Sequence, residues 1–144
     1  GWRIRHIDAP MVLHDLGITS FKQYWSRAVK CGESYVLVNS RADHKLMTFW
    51  NTRTRRNYIQ GGVYVLLIAA AAIASILMLS AAPLALLALI WFGLAAWTAF
   101  RARWKSPHLP TRLIYGLHSH FVYLPLFTGQ IRVALRDSGH ERHP

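Results

Sequence analysis

The segment from Gly61 to Phe100 contains forty residues without an Asp, Glu, Lys, Arg or His. The hydrocarbon core of a bilayer is about 30 Å thick and is crossed by about 20 helical residues, so this segment is long enough for two crossings. Pro83 lies near its middle, and proline ends a helix because it lacks an amide donor and clashes with the preceding turn. We therefore predict a transmembrane hairpin over residues 61–101, with helices at about 62–79 and 84–100.

Two other structures could contain such a segment. A buried core helix is disfavoured, because a soluble domain of 144 residues has too little polar surface to enclose forty apolar residues. A re-entrant hairpin, which enters the bilayer without crossing it, remains the alternative.

The charge distribution gives the orientation. The chain has 17 Lys and Arg against 6 Asp and Glu, a formal net charge of +11, and all the basic residues lie outside the apolar segment. Basic residues flank both ends of the predicted hairpin, and its connecting turn has none. The positive-inside rule then predicts a multi-pass protein of the cell (inner) membrane with both ends in the cytoplasm. The same charge suits anionic lipid headgroups, and the apolar segment favours lipid over nucleic acid as the partner.

The first nineteen residues have a different pattern. Residues 2–7 and 11–14 read as two short apolar strands separated by a turn at Asp8 and Pro10. Two isolated strands bury very little apolar surface and are marginal in water. Segment 1–19 is therefore predicted to be the last strands of a larger sheet, a short β remnant beside a mainly α chain.

Segment 20–60 begins with a helix signal. Ser20 followed by Gln23 has the spacing of a capping box. An aromatic-rich apolar stripe follows at helical spacing, with basic residues on much of the remaining surface. Such a helix can lie at the headgroup boundary of a membrane, or pack on another domain, and both interpretations stay open. A basic linker completes the segment.

Segment 102–144 is predicted to be a basic helix on the cytoplasmic membrane surface followed by a polar tail. Its longest stretch without charge or histidine is 121–131, which is too short to span a bilayer, and Pro125 interrupts it. His118 and His120 are two residues apart, so on a helix they point to different sides and make a poor metal chelate. They are interpreted as interfacial residues.

Several of these segments resemble membrane-bound family 2 glycosyltransferases. The similarity covers the region just after the catalytic acidic motif of those enzymes and their carboxyl end. In this chain it is carried by residues 1–4 (Gly-Trp-Arg-Ile), 8–11 (Asp-Ala-Pro-Met), 13–15 (Leu-His-Asp), 21–28 (Phe-Lys-Gln-Tyr-Trp-Ser-Arg-Ala), Gly32, 113–120 (Leu-Ile-Tyr-Gly-Leu-His-Ser-His), Pro125 and 129–132 (Gly-Gln-Ile-Arg).

The resemblance implies a GT-A type α/β domain on the cytoplasmic side, which moves a sugar from a nucleotide-sugar donor to a lipid-linked or polysaccharide acceptor. It also implies a divalent metal, Mn or Mg, in the full-length enzyme. The donor-binding Asp-x-Asp motif and the catalytic acidic pair of the family are absent here and would lie upstream, so no catalytic residue is assigned. The chain is expected to be the carboxyl-terminal part of such an enzyme.

Three residues are candidates through this resemblance. His14 stands where GT-A enzymes present a metal-coordinating histidine, although it could simply hydrogen-bond the backbone at a strand end. Gln23 and Arg27 fall in a segment similar to the Gln-x-x-Arg-Trp motif, which lies over the donor diphosphate and acceptor. Here Trp25 precedes the arginine, so the match is imperfect.

A second class of function is a small non-enzymatic membrane adaptor, which would recruit partners through its basic cytoplasmic ends. A third, nucleic-acid binding through the basic and aromatic residues between Gln23 and Arg56, is supported by no recognised motif.

Overall fold

The computed structural model describes residues 18–41 and 47–140. These residues are mainly helical and form no strand. The two strands predicted for the GT-A remnant, at 2–7 and 11–14, lie outside the described residues, as does His14.

Helix α1 spans Phe21–Arg41. Its first turn is closed by a reciprocal pair of hydrogen bonds, since the backbone N–H of Gln23 donates to Ser20 Oγ (3.3 Å) and Gln23 Oε1 accepts from the Ser20 N–H (3.2 Å). The Thr19 N–H also donates to Gln23 Oε1, at 2.8 Å. Three backbone N–H donors at the start of the helix thereby find side-chain acceptors.

Helices α2 (Met47–Leu77) and α3 (Ala82–Arg101) form the apolar hairpin. Pro83 occupies the first turn of α3, where a missing N–H costs nothing, and Leu79 in the connecting turn has a φ of 48°. The break therefore falls where it was predicted. Helix α2 begins much earlier than the predicted start at residue 62, and residues 47–60 contain no proline or glycine that would interrupt it.

Two helical segments, Phe49–Leu77 and Ala82–Trp104, are long and apolar enough to cross a membrane. Only 6% and 11% of the residues in their apolar windows are buried inside the protein. A core helix of a soluble protein would be mostly buried, so this low burial argues against that alternative.

A 3₁₀ turn (Ala102–Trp104) leads into α4 (Leu109–Phe121) and α5 (Tyr123–His140). The segment predicted as one surface helix is thus two helices. Pro125 lies in the first turn of α5, so it starts this helix instead of kinking it.

The later helices fold back along the earlier ones. Helix α4 is antiparallel to α3. Gly116 contacts Ala95 and Ala99, and Phe121 and Trp91 line the same hydrophobic surface pocket. Helix α5 is antiparallel to α2, with Tyr123 beside Tyr64, Phe127 against Gly61, and Gln130 bonded to Thr54. Helix α1 packs across α5. The turn between α4 and α5 consequently lies level with the middle of α3.

Candidate functional site

Helices α1 and α5 approach closely at two glycines. A Cβ on Gly32 would overlap the carbonyl oxygen of Leu126, and a Cβ on Gly129 would overlap that of Val29. Small residues at a helix crossing allow such backbone contact. The crossing fixes the position of α1, and with it the side chains of its amino-terminal half.

An aromatic cluster surrounds the start of α1. The Phe21, Tyr24 and Trp25 rings lie 5.8–6.2 Å from the ring of Phe121. The Tyr24 hydroxyl lies 2.9 Å from His118 Nδ1, and their rings meet edge to face. Burial raises the pKa of Tyr24, so the neutral phenol is favoured here. The cluster attaches α1 to the α4–α5 turn.

A surface cavity of about 560 Å³ lies beside this cluster, between α1 and α5. It is lined by Phe21, Lys22, Trp25, Ser26, Val29 and Arg132. Two cations next to an aromatic wall can bind an anion such as a phosphate, with a flat group against the indole. Lys22 and Arg132 were not predicted as site residues, since they come from opposite ends of the described chain.

Gln23 and Arg27, the two residues predicted to bind substrate, both lie on α1. Gln23 Oε1 is used by the helix cap. Arg27 is exposed one turn later on the same helix, but it does not line the cavity. The structure therefore gives Gln23 a structural role and puts Lys22, not Arg27, at the cavity wall.

The metal implied by the resemblance has no ligand set in this part of the protein. Within residues 18–41 and 47–140, no group of three or more His, Cys, Asp or Glu side chains could hold an ion. His118 and His120 each hydrogen-bond to hydroxyl groups.

A second site lies between the apolar helices. His120 Nδ1 is 2.8 Å from the Tyr64 hydroxyl, and its Nε2 is 2.9 Å from Thr98 Oγ1. This imidazole connects α4 to both α2 and α3. An ionisable side chain among membrane helices is by default a candidate for function. The sequence analysis considered His120 only as a possible metal ligand together with His118. Its hydrogen-bond partners lie 22 and 56 residues away, so no local sequence pattern indicates these contacts.

A third polar group lies where α1, α2 and α5 meet. Gln130 is fully buried, and its Nε2 donates to the Thr54 carbonyl at 3.2 Å. Thr54 Oγ1 in turn donates to the Tyr35 carbonyl, at 3.2 Å. These bonds join the basic end of α2 to the α1–α5 pair.

Comparison with protein-family models, with curated proteins and with solved structures gives no match to this chain.

Proposed function

We propose that this chain is the membrane-anchoring carboxyl-terminal part of a glycosyltransferase, which moves a sugar from a nucleotide-sugar donor to a lipid-linked or polysaccharide acceptor. In this proposal α2 and α3 cross the cell membrane, and the basic end of α2, where Tyr35 of α1 and Gln130 of α5 meet Thr54, lies at its cytoplasmic face. The support for transfer is the sequence resemblance described above. The support for anchoring is the structure.

The observation that carries the anchoring proposal is the location of α1. Exposed apolar side chains cover α2 and α3 over most of their length, as expected of lipid-facing helices. The carboxyl-terminal half of α1 is held at the basic end of α2 through α5, by the glycine crossing and by the Gln130–Thr54 bond. A catalytic domain that precedes α1 would thus be joined firmly to the two apolar helices.

This arrangement suits the chemistry of sugar transfer. The leaving nucleotide diphosphate needs positive charge to stabilise it, and basic side chains can contribute that charge. Lys22, Arg27 and Arg132 all lie in the α1–α5 region. We assign them to the electrostatic surroundings of the diphosphate, while the carboxylates and the metal belong to the preceding domain.

The test uses membranes that contain the product of the complete reading frame. Transfer of radiolabelled sugar from nucleotide sugars to extracted lipid or polymer is measured with Mn²⁺ for wild type, Arg27→Ala and Lys30→Ala. In the proposal Arg27 makes a charged hydrogen bond to the diphosphate. Loss of such a bond costs about 1.5–3 kcal/mol, so Arg27→Ala should lower turnover by roughly 10- to 150-fold. Lys30→Ala is the matched control, an exposed cation on the same helix.

Arg27→Lys and a thermal melt of each variant separate loss of function from loss of fold. Absence of sugar transfer by the complete product would refute the transferase proposal and favour the membrane adaptor. Equal activity of Arg27→Ala and Lys30→Ala would refute the role of Arg27.

A further inference from the structure

An apolar groove of about 240 Å³ lies between α2, α3 and the α4–α5 turn. Its floor on α3 is the stripe Leu84, Leu87, Ala88 and Trp91, which share one face at i, i+3, i+4 and i+7. Ile68 of α2 and Leu124 of α5 form its sides. The stripe alone is about 10 Å long, at 1.5 Å per residue.

The groove suits a hydrocarbon chain and not a polar ligand. The polar residues at its mouth, Tyr64 and His120, are bonded to each other, and His120 also bonds Thr98. Both imidazole nitrogens are therefore used. Sites that enclose a whole small molecule measure roughly 300–1,000 Å³, so this groove holds a segment of a chain.

A cation lies beyond the mouth of the groove. The ring of Tyr64 is 6.4 Å from that of Tyr123, and the guanidinium of Arg56 lies 6.0 Å from the Tyr123 ring centroid. Arg56 precedes Tyr64 by eight residues on α2, about 12 Å along the helix. It is exposed, and no carboxylate in the described part of the chain pairs with it. In the proposed orientation it reaches the cytoplasmic headgroups.

We infer that the groove binds one acyl chain of an anionic phospholipid, whose phosphate is held at Arg56. The rings of Tyr64 and Tyr123 lie between the groove and Arg56, where the lipid would pass from its acyl chain to its headgroup. This inference rests on the membrane orientation in the proposed function and is independent of sugar transfer.

The experiment measures tryptophan quenching by brominated lipids. The full chain is reconstituted in vesicles that contain either brominated phosphatidylglycerol or brominated phosphatidylcholine with the same chains. The signal of Trp91 is obtained as the difference between wild type and Trp91→Phe. We expect phosphatidylglycerol to quench Trp91 with about fivefold higher relative affinity, the effect expected of one cation at an anionic surface.

Two matched pairs of variants test the contacts. Arg56→Gln should abolish the lipid preference, whereas Arg103→Gln, whose guanidinium lies 5.1 Å from the Phe100 ring centroid, should keep it. Ala88→Phe fills the groove and should remove most quenching of Trp91 by either lipid. Ala85→Phe, at an exposed position outside the groove lining, should not. Circular dichroism verifies that each variant keeps its helices.

Trp97 is an internal reporter of membrane insertion, because it is exposed on α3. If both lipids quench Trp97 but show equal affinity at Trp91, the groove inference is wrong and membrane insertion of α3 stands. The groove inference is also wrong if Arg56→Gln and Arg103→Gln have the same effect, or if Ala88→Phe and Ala85→Phe do. If neither lipid quenches Trp97, the chain is not inserted, and the membrane anchoring and the lipid site are both refuted.

Discussion

Replacing Gly129 by alanine tests how much the close crossing with α5 contributes to the docking of α1. A Cβ at this position would overlap the Val29 carbonyl oxygen and lie 2.9 Å from the backbone nitrogen of Glu33. These are backbone atoms of a helix, so no rotamer change can relieve the contact. The helices must separate instead.

The magnitude follows from two opposing effects. Overpacking of this kind costs about 1–3 kcal/mol. Alanine offsets this by about 1 kcal/mol, because it is the better helix former. We therefore expect Gly129→Ala to weaken the docking of α1 by about 1 kcal/mol, with about 2 kcal/mol as the upper limit. Each 1.4 kcal/mol is about a tenfold change in an equilibrium constant.

Hydrogen–deuterium exchange of the α1 amides in detergent micelles measures this docking. In Gly129→Ala, α1 should exchange roughly 5- to 30-fold faster than in wild type. Gly93→Ala is the control, because a Cβ there meets nothing within 4 Å. The double variant Gly32→Ala/Gly129→Ala should cost less than the sum of the singles, since one separation relieves both contacts. Unchanged exchange in Gly129→Ala, or equal acceleration in Gly93→Ala, would refute the close crossing.

Three further predictions concern topology, chemistry and titration. Cysteines at Ser80 and Ser106, in a background without the native cysteine, should be labelled from the outside and the cytoplasm respectively; cytoplasmic labelling at Ser80 would favour a re-entrant hairpin. The purified 144-residue chain should transfer no sugar from any nucleotide sugar, because its sequence holds no paired carboxylate motif, and turnover would contradict this. The 2.8 Å hydrogen bond from Lys105 lowers the pKa of Tyr115 from 10.0, so the folded state favours the phenolate. The interaction therefore stabilises the folded state above the pKa that Tyr115 has in the unfolded chain. This stabilisation is lost as the pH falls through the pKa that Tyr115 has in the folded protein. Lys105→Gln should raise that pKa in an ultraviolet titration, with Tyr115→Phe identifying the signal, and identical titrations would contradict the contact.

The hairpin was predictable because its signals are local and strong. A long uncharged segment and Pro83 determine two apolar helices and the break between them. The early start of α2 was not predictable from the same signals. Its first turns are polar, but Thr54 and Asn57 are buried in the structure, so packing against α1 and α5 extends the helix.

The capping pair of Ser20 and Gln23 could also be read from the sequence, because its spacing is local. The cavity at Lys22 and Arg132 could not, since its two cations meet only after α5 folds back on α1. The spacing of His118 and His120 did predict that they point to different sides. It gave no information on the hydroxyl groups that each would meet.

His120 joins three helices through two hydrogen bonds, and these bonds are not equivalent. Thr98 lies on a helix, so its hydroxyl can turn to the backbone carbonyl one turn earlier when the imidazole is removed. Tyr64 is too long to bond its own backbone in that way. Removal of His120 should therefore leave the Tyr64 hydroxyl without a partner and the Thr98 hydroxyl with one.

Double-mutant cycles can separate the two bonds. The free energy of unfolding in micelles is measured for His120→Leu, Tyr64→Phe, Thr98→Val and the two double variants that contain His120→Leu. Hydrogen bonds between membrane helices average about 0.6 kcal/mol, with a maximum of about 1.7 kcal/mol. We expect the His120–Tyr64 coupling to lie in the upper half of that range, and the His120–Thr98 coupling to be below about 0.5 kcal/mol, since threonine has its own alternative acceptor. Equal couplings, or a larger one to Thr98, would mean that His120 holds α4 to α3 as strongly as to α2.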